Sequence, residues 1–145
     1  MSAASVEELI TRLGLQPHPE GGHYRETWRG PAGPDGRHIG TSIIYLLVAG
    51  RRAHWHRIDA TELWHFHAGA PCHLDVFDDE TGTIRTAVLG PELTGDHHPQ
   101  AIVEPHRWQS AETIGEWSLV GCTVTPAFEF DHFELAPPGW EPTHR

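Results

Sequence analysis

The sequence runs to 145 residues, 38% hydrophobic and 21% charged, with a net charge of −10 when histidine is neutral. That length allows a real hydrophobic core, and the acid surplus argues against nucleic acid as a partner, because phosphate binding needs a basic surface. No apolar run approaches the ~20 residues that span a bilayer, and Met1–Glu8 lacks the basic and apolar regions of a secretory signal, so no membrane partner is expected and the cytoplasm is the expected compartment.

Ser5 opens the first element. Glu8 follows at capping-box spacing, so each side chain can reach the other's backbone N–H. Val6, Leu9, Ile10 and Leu13 then share one helical face, and Gly14 suits the left-handed residue that ends the run. A short amphipathic helix within residues 1–14 is predicted, against the outside of a sheet or a neighbouring subunit. Pro17–Gly22 is too rich in Pro and Gly for an ordinary strand and reads as a rigid turn. Period-two patterning predicts strands over His23–Trp28, Ile39–Val48, Ala53–Ile58, Glu62–His67, His73–Phe77, Thr83–Leu89, Ala101–Gln109 and Glu116–Thr125. Gly30–Gly36 is a loop, and Phe130–Leu135 reads as a short closing helical turn. The tail, residues 136–145, cannot continue a ladder and should fray or dock on the surface. Many short strands and one helix predict an all-β sandwich or barrel in a single domain, 1–145. Cys72 and Cys122 show no metal or disulfide spacing and read as buried small hydrophobes.

Chemistry gathers between residues 50 and 69. His54, His56, His65 and His67 stand there with Glu62. Strand alternation puts His54, His56 and Ile58 on one face and Trp55 and Arg57 on the other. Glu62, Trp64 and Phe66 alternate with Leu63, His65 and His67, so His65 and His67 should face outward, supporting the sheet or a dimer contact. His97 and His98 read as solvated loop residues. Two imidazoles and a carboxylate from adjacent strands can hold a divalent metal. The same groups can move a proton, with the carboxylate fixing the tautomer of a histidine base. Tyr45, Trp64, Phe66 and Trp108 are expected as core or pocket wall.

The spacing Gly50-x5-His56-x-Ile58-x3-Glu62-x6-Gly69 resembles the first cupin motif, with Ile58 where metal-binding cupins place their second histidine. The second motif falls near Val103–Gln109 and puts Gln109 at the last ligand position. Leu15–Thr27, Thr41–Leu47, Trp55–His56, Glu62–His67 and Leu119–Phe128 resemble a cupin subfamily of small proteins described as sugar-epimerase-like. The resemblance implies a cupin jelly-roll barrel, a double-stranded β-helix with one short N-terminal helix, and a homodimer. It also implies a small-molecule site in the barrel mouth. An epimerase- or isomerase-like reaction on a carbohydrate or carbonyl compound would use His56 to abstract or return a proton, Glu62 to orient or share it, and Tyr45 opposite. His54, Trp64, Phe66, Trp108, Gln109, His18 and Glu20 would line the substrate site. Two alternatives stay open. A metal cupin, dioxygenase- or hydrolase-like, would hold Fe, Mn, Ni or Zn on His56, Glu62 and Gln109, with His54 as a further candidate. A non-catalytic barrel would simply bind a small ligand.

Overall fold

The computed structural model describes residues 4–143. One helix, α1 (Val6–Leu13), precedes the strands. Its capping box forms: the Glu8 N–H donates to Ser5 Oγ, and the Ser5 N–H donates to Glu8 Oε1. Gly14 ends it at φ 66°. No α1 residue is fully buried. The helix is tied to the body from both sides, by Arg25 donating to the Leu13 carbonyl and by the Trp117 indole donating to the Ala4 carbonyl just before it.

The strands are β1 (Gln16–Pro17), β2 (His23–Arg29), β3 (Thr41–Val48), β4 (Ala53–Ile58), β5 (Thr61–Gly69), β6 (Cys72–Asp78), β7 (Thr83–Leu89), β8 (Gln100–Val103), β9 (Gln109–Thr113), β10 (Trp117–Thr125) and β11 (Phe133–Leu135). They form two antiparallel sheets, ordered β1-β2-β3-β10-β5-β8 and β11-β4-β9-β6-β7. Neighbours in each sheet come from distant parts of the chain, and the two inner faces meet as a jelly-roll barrel. Tyr45, Leu47, Trp64, Leu74, Leu89, Val103 and Val120 fill one end of the interior. Cys72 and Cys122 are free thiols in the same cluster, as expected of small hydrophobes.

Four expectations are corrected. The strand over Ile39–Val48 starts at Thr41, leaving Ile39 exposed. The run Ala101–Gln109 is two strands on different sheets, because Pro105 cannot donate to a ladder and His106 turns the chain at φ 68°. Phe130–Leu135 is helical only over Phe130–His132, in a 3-10 turn, and then pairs with β4 as β11.

The fourth correction bears on function. Between Ala53 and His56 the β4–β9 register shifts, a β-bulge. Ala53 packs in the barrel core, Trp55 packs outside with Phe77 and Ala136, and His54 Nε2 bonds the Pro137 carbonyl oxygen. Two neighbouring side chains, His54 and Trp55, therefore face outward, and of the three residues 54–56 only His56 turns in. The tail docks over this outer face through Trp140, whose ring centroid lies 4.6 Å from that of Trp108.

Candidate functional site

The end of the barrel away from the main core holds a cavity of ≈ 240 Å³. Ile43, Ile58, Val124, Phe128, Phe130 and Phe133 supply its apolar wall. Its polar groups include His18, Glu20, His56 and Glu62. A small concave site with few convergent polar groups is the usual form of a small-molecule pocket.

Each polar group is placed by local sequence. Glu20 sits in the tight turn between β1 and β2, where His18 N–H donates to the Gly22 carbonyl at 3.0 Å and Gly21 N–H to the His18 carbonyl at 3.0 Å. Gly22 lies at φ 75°, and a Cβ there would come 2.7 Å from the Leu46 carbonyl oxygen and 2.8 Å from the Tyr45 ring. Only glycine lets the turn press this closely on β3. Tyr45 fixes it from below, its hydroxyl donating to the Gly21 carbonyl at 2.5 Å. Tyr45 is fully buried and does not line the cavity, and burial with nearby Glu20 pushes its phenol well above its ordinary pKa. It serves as a support beneath the turn, not the opposing acid that resemblance implied.

His56 enters from β4. Its Nδ1 lies 2.9 Å from the His54 carbonyl oxygen and 2.6 Å from Glu20 Oε2. The ring N–H is aimed at the carbonyl, so Glu20 Oε2 balances the ring's charge while lacking any in-line donor of its own. Burial works against a charged imidazole here. The adjacent Glu20 and the nearby Glu62 outweigh it and raise His56 to about 9. Burial likewise opposes the Glu20 carboxylate, but His56 wins and holds its pKa below the usual range. The pair is therefore ionic at neutral pH. No hydrogen bond occupies His56 Nε2 among the described residues, and the ring faces the cavity. His18 is different: its Nδ1 accepts from the Glu20 N–H at 3.1 Å, and burial lowers its pKa, so it is a neutral ring with its proton on Nε2.

Glu62 enters from β5, on the opposite sheet. Gln109 Nε2 donates to Glu62 Oε1 at 2.7 Å, and the Trp64 indole N–H donates to Gln109 Oε1 at 2.9 Å. An indole N–H can only donate, so it fixes which end of the Gln109 amide faces Glu62. Burial raises Glu62 to about 7, more than His56 and Gln109 can offset. Folding thus shifts the carboxyl towards its neutral form. That shift stabilises the fold fully below the unfolded value near 4.5, and the stabilisation is lost as pH rises through about 7. Glu62→Gln, neutral throughout, is expected to gain thermal stability relative to wild type between pH 5 and pH 8. Melting curves across that range check this, and a constant difference would contradict it.

Of the residues singled out in the sequence, His18, Glu20, His56 and Glu62 line this cavity. Gln109 and Trp64 stand behind Glu62, fully buried. Phe66 packs against the main core, Trp108 lies under the tail, and the bulge removes His54 to the outer face. The carboxylate paired with His56 is Glu20, not Glu62. His65 lies half-buried and His67 exposed on β5, on the face opposite Glu62 and Trp64. Sequence reading missed the Phe128, Phe130 and Phe133 wall. Its signal was present as three phenylalanines at close spacing after Pro126.

The expected metal ligands do not make a metal set. The Gln109 oxygen already accepts from Trp64, and its amide nitrogen faces Glu62. Ile58 contributes only hydrocarbon to the cavity, and no group of three or more His, Cys, Asp or Glu converges for a metal among the described residues.

Three comparisons bear on this arrangement. The sequence profile described as "Cupin superfamily (DUF985)" matches residues 7–136. A crystal structure of a protein from Shewanella oneidensis is 36% identical, with a TM-score of 0.86, over 92% of this chain and 85% of that one. A hypothetical protein from Leishmania major is 30% identical, with a TM-score of 0.81, over 92% and 88% of the two chains. Oxalate decarboxylase from Bacillus subtilis is 13% identical, with a TM-score of 0.63, over 82% of this chain and 29% of that one, a likeness of fold alone. No curated protein matches. No helix among the described residues is long and apolar enough to cross a membrane.

Proposed function

We propose that this chain, which belongs to the Cupin superfamily (DUF985), binds a small carbonyl-bearing molecule in the barrel and moves a proton on it. The observation that carries the reading is two buried ionisable groups facing one cavity, both raised, so that Glu62 titrates near neutrality while His56 keeps its proton. His56 is held charged by Glu20, and Glu62 is raised to about 7. A carboxyl that titrates near neutrality beside an imidazolium that keeps its proton gives one site a base and an acid at neutral pH.

The roles differ from those the sequence suggested. His56 is already protonated, so it acts as the donor. Its Nε2–H hydrogen-bonds the substrate carbonyl oxygen and stabilises negative charge there. Glu62, ionised in a useful fraction near neutrality, removes the proton from the carbon beside the carbonyl. The C–H pair moves into the new C=C bond, the carbonyl pair moves to oxygen, and the proton resides on Glu62. Its return on the same face to the former carbonyl carbon, while the hydroxyl on the neighbouring carbon loses its proton and the former carbonyl oxygen gains one by way of His56, moves the carbonyl by one carbon. That outcome is isomerase-like chemistry on a carbohydrate-sized carbonyl compound.

The experiment is exchange. Incubated in deuterated buffer with a panel of aldoses and ketoses, the protein is expected to place one deuterium beside the carbonyl of a member of that panel, seen by mass spectrometry and proton NMR. A folded protein that labels none of them overturns the reading.

A further inference from the structure

The charge of the cavity specifies more than its shape does. Four carboxylates line it, Glu20, Glu26, Glu62 and Glu129, against two cationic side chains, His56 and Arg29. Neither cation is free. His56 is paired with Glu20. Arg29 donates through Nε and Nη2 to Glu26 at 3.3 and 2.8 Å, through Nη1 to Glu129 at 3.2 Å, and through Nη2 to the Phe128 carbonyl at 3.1 Å. Most of its five N–H groups are thereby occupied. His18 is a neutral ring.

A phosphate in this cavity would meet a surplus of like charge and no guanidinium fork or ammonium to receive it. What the cavity does offer is acceptors, since the side chains of Glu20, Glu26, Glu62 and Glu129 all line it. Hydroxyls and amines are the ligand groups that donate to such oxygens. The phenylalanine wall suits the apolar C–H face of a sugar ring. Resting on the carbonyl reading above, we infer that the site takes an uncharged or amine-bearing polyol and rejects phosphorylated and nucleotide-activated forms.

The test is a matched series: glucosamine, glucose and glucose 6-phosphate, with the corresponding galactose and mannose sets, titrated into the full chain and followed by ¹H–¹⁵N NMR. The amine and neutral members of at least one set are expected to bind, with the phosphate at least about a hundredfold weaker. The double variant Glu26→Gln, Glu129→Gln frees Arg29 and is expected to gain phosphate affinity by about tenfold or more. A phosphate that binds wild type as tightly as its neutral counterpart, or gains nothing in the double variant, overturns the inference and leaves the carbonyl reading standing. Failure of every member to bind overturns both.

Discussion

Glu62→Gln is expected to slow deuterium incorporation by about 10²–10⁴-fold, the range typical of a lost general base, while leaving the barrel folded. The glutamine keeps a carbonyl oxygen where Glu62 Oε1 accepts from Gln109 Nε2, so the link to Trp64 survives. What disappears is a carboxylate with proton affinity near neutrality. The wild-type profile should be bell-shaped, rising as Glu62 ionises through about 7 and falling as His56 loses its proton through about 9. Exchange by a folded Glu62→Gln protein at the wild-type rate would remove Glu62 from the base role. A profile without the alkaline fall would remove His56 from the donor role.

The second large effect is on stability. Glu20→Ala leaves His56 in the barrel without its counter-ion, and breaking a buried pair in this way costs about 3–5 kcal/mol when the remaining charge cannot escape. An imidazole can escape by losing its proton, so the cost depends on pH. In wild type the folded His56 value is raised to about 9 from 6.5, so its contribution is whole below about 6.5 and lost as pH rises through about 9. Glu20 is shifted the other way, and its contribution is present above its unfolded value and lost on acidification through the lower folded one. The deficit of Glu20→Ala should therefore be largest near pH 5–6 and shrink towards pH 9. Chemical denaturation at the two ends of that range measures it, and a deficit independent of pH would mean that packing, not charge, holds the turn.

Fold and site were legible to different degrees, for physical reasons. The cap of α1 depends only on neighbours in sequence, and Ser5, Glu8 and Gly14 state it fully. The strands follow from alternation, and the Gly50–Gly69 spacing placed the barrel. The inward set was harder. A bulge in β4 leaves no mark in composition, so strict alternation sent His54 into the barrel beside His56. Gln109 and Trp64 were seen as residues facing a substrate, because a sequence does not show that one amide is already held between an indole and a carboxylate. Glu20 was visible only as part of a Pro- and Gly-rich turn. That the turn delivers it to His56, 36 residues on, is a tertiary fact. The phenylalanine wall was missed because β11 was read as a helical turn, although pairing with β4 is what sets Phe133 beside His56.

The two sheets are joined at this end by the same side chains that face the ligand. Glu62 and Gln109 come from opposite sheets, and so do the turn that carries Glu20 and the strand that carries His56. Prising the sheets apart would part both couples at once and strand four polar groups in a dry interior. The reactive groups are therefore also the clasp of the barrel, and the pocket cannot widen to suit its guest. Discrimination between ligands should come from a mould set before they arrive, with the cost of any misfit borne by the ligand.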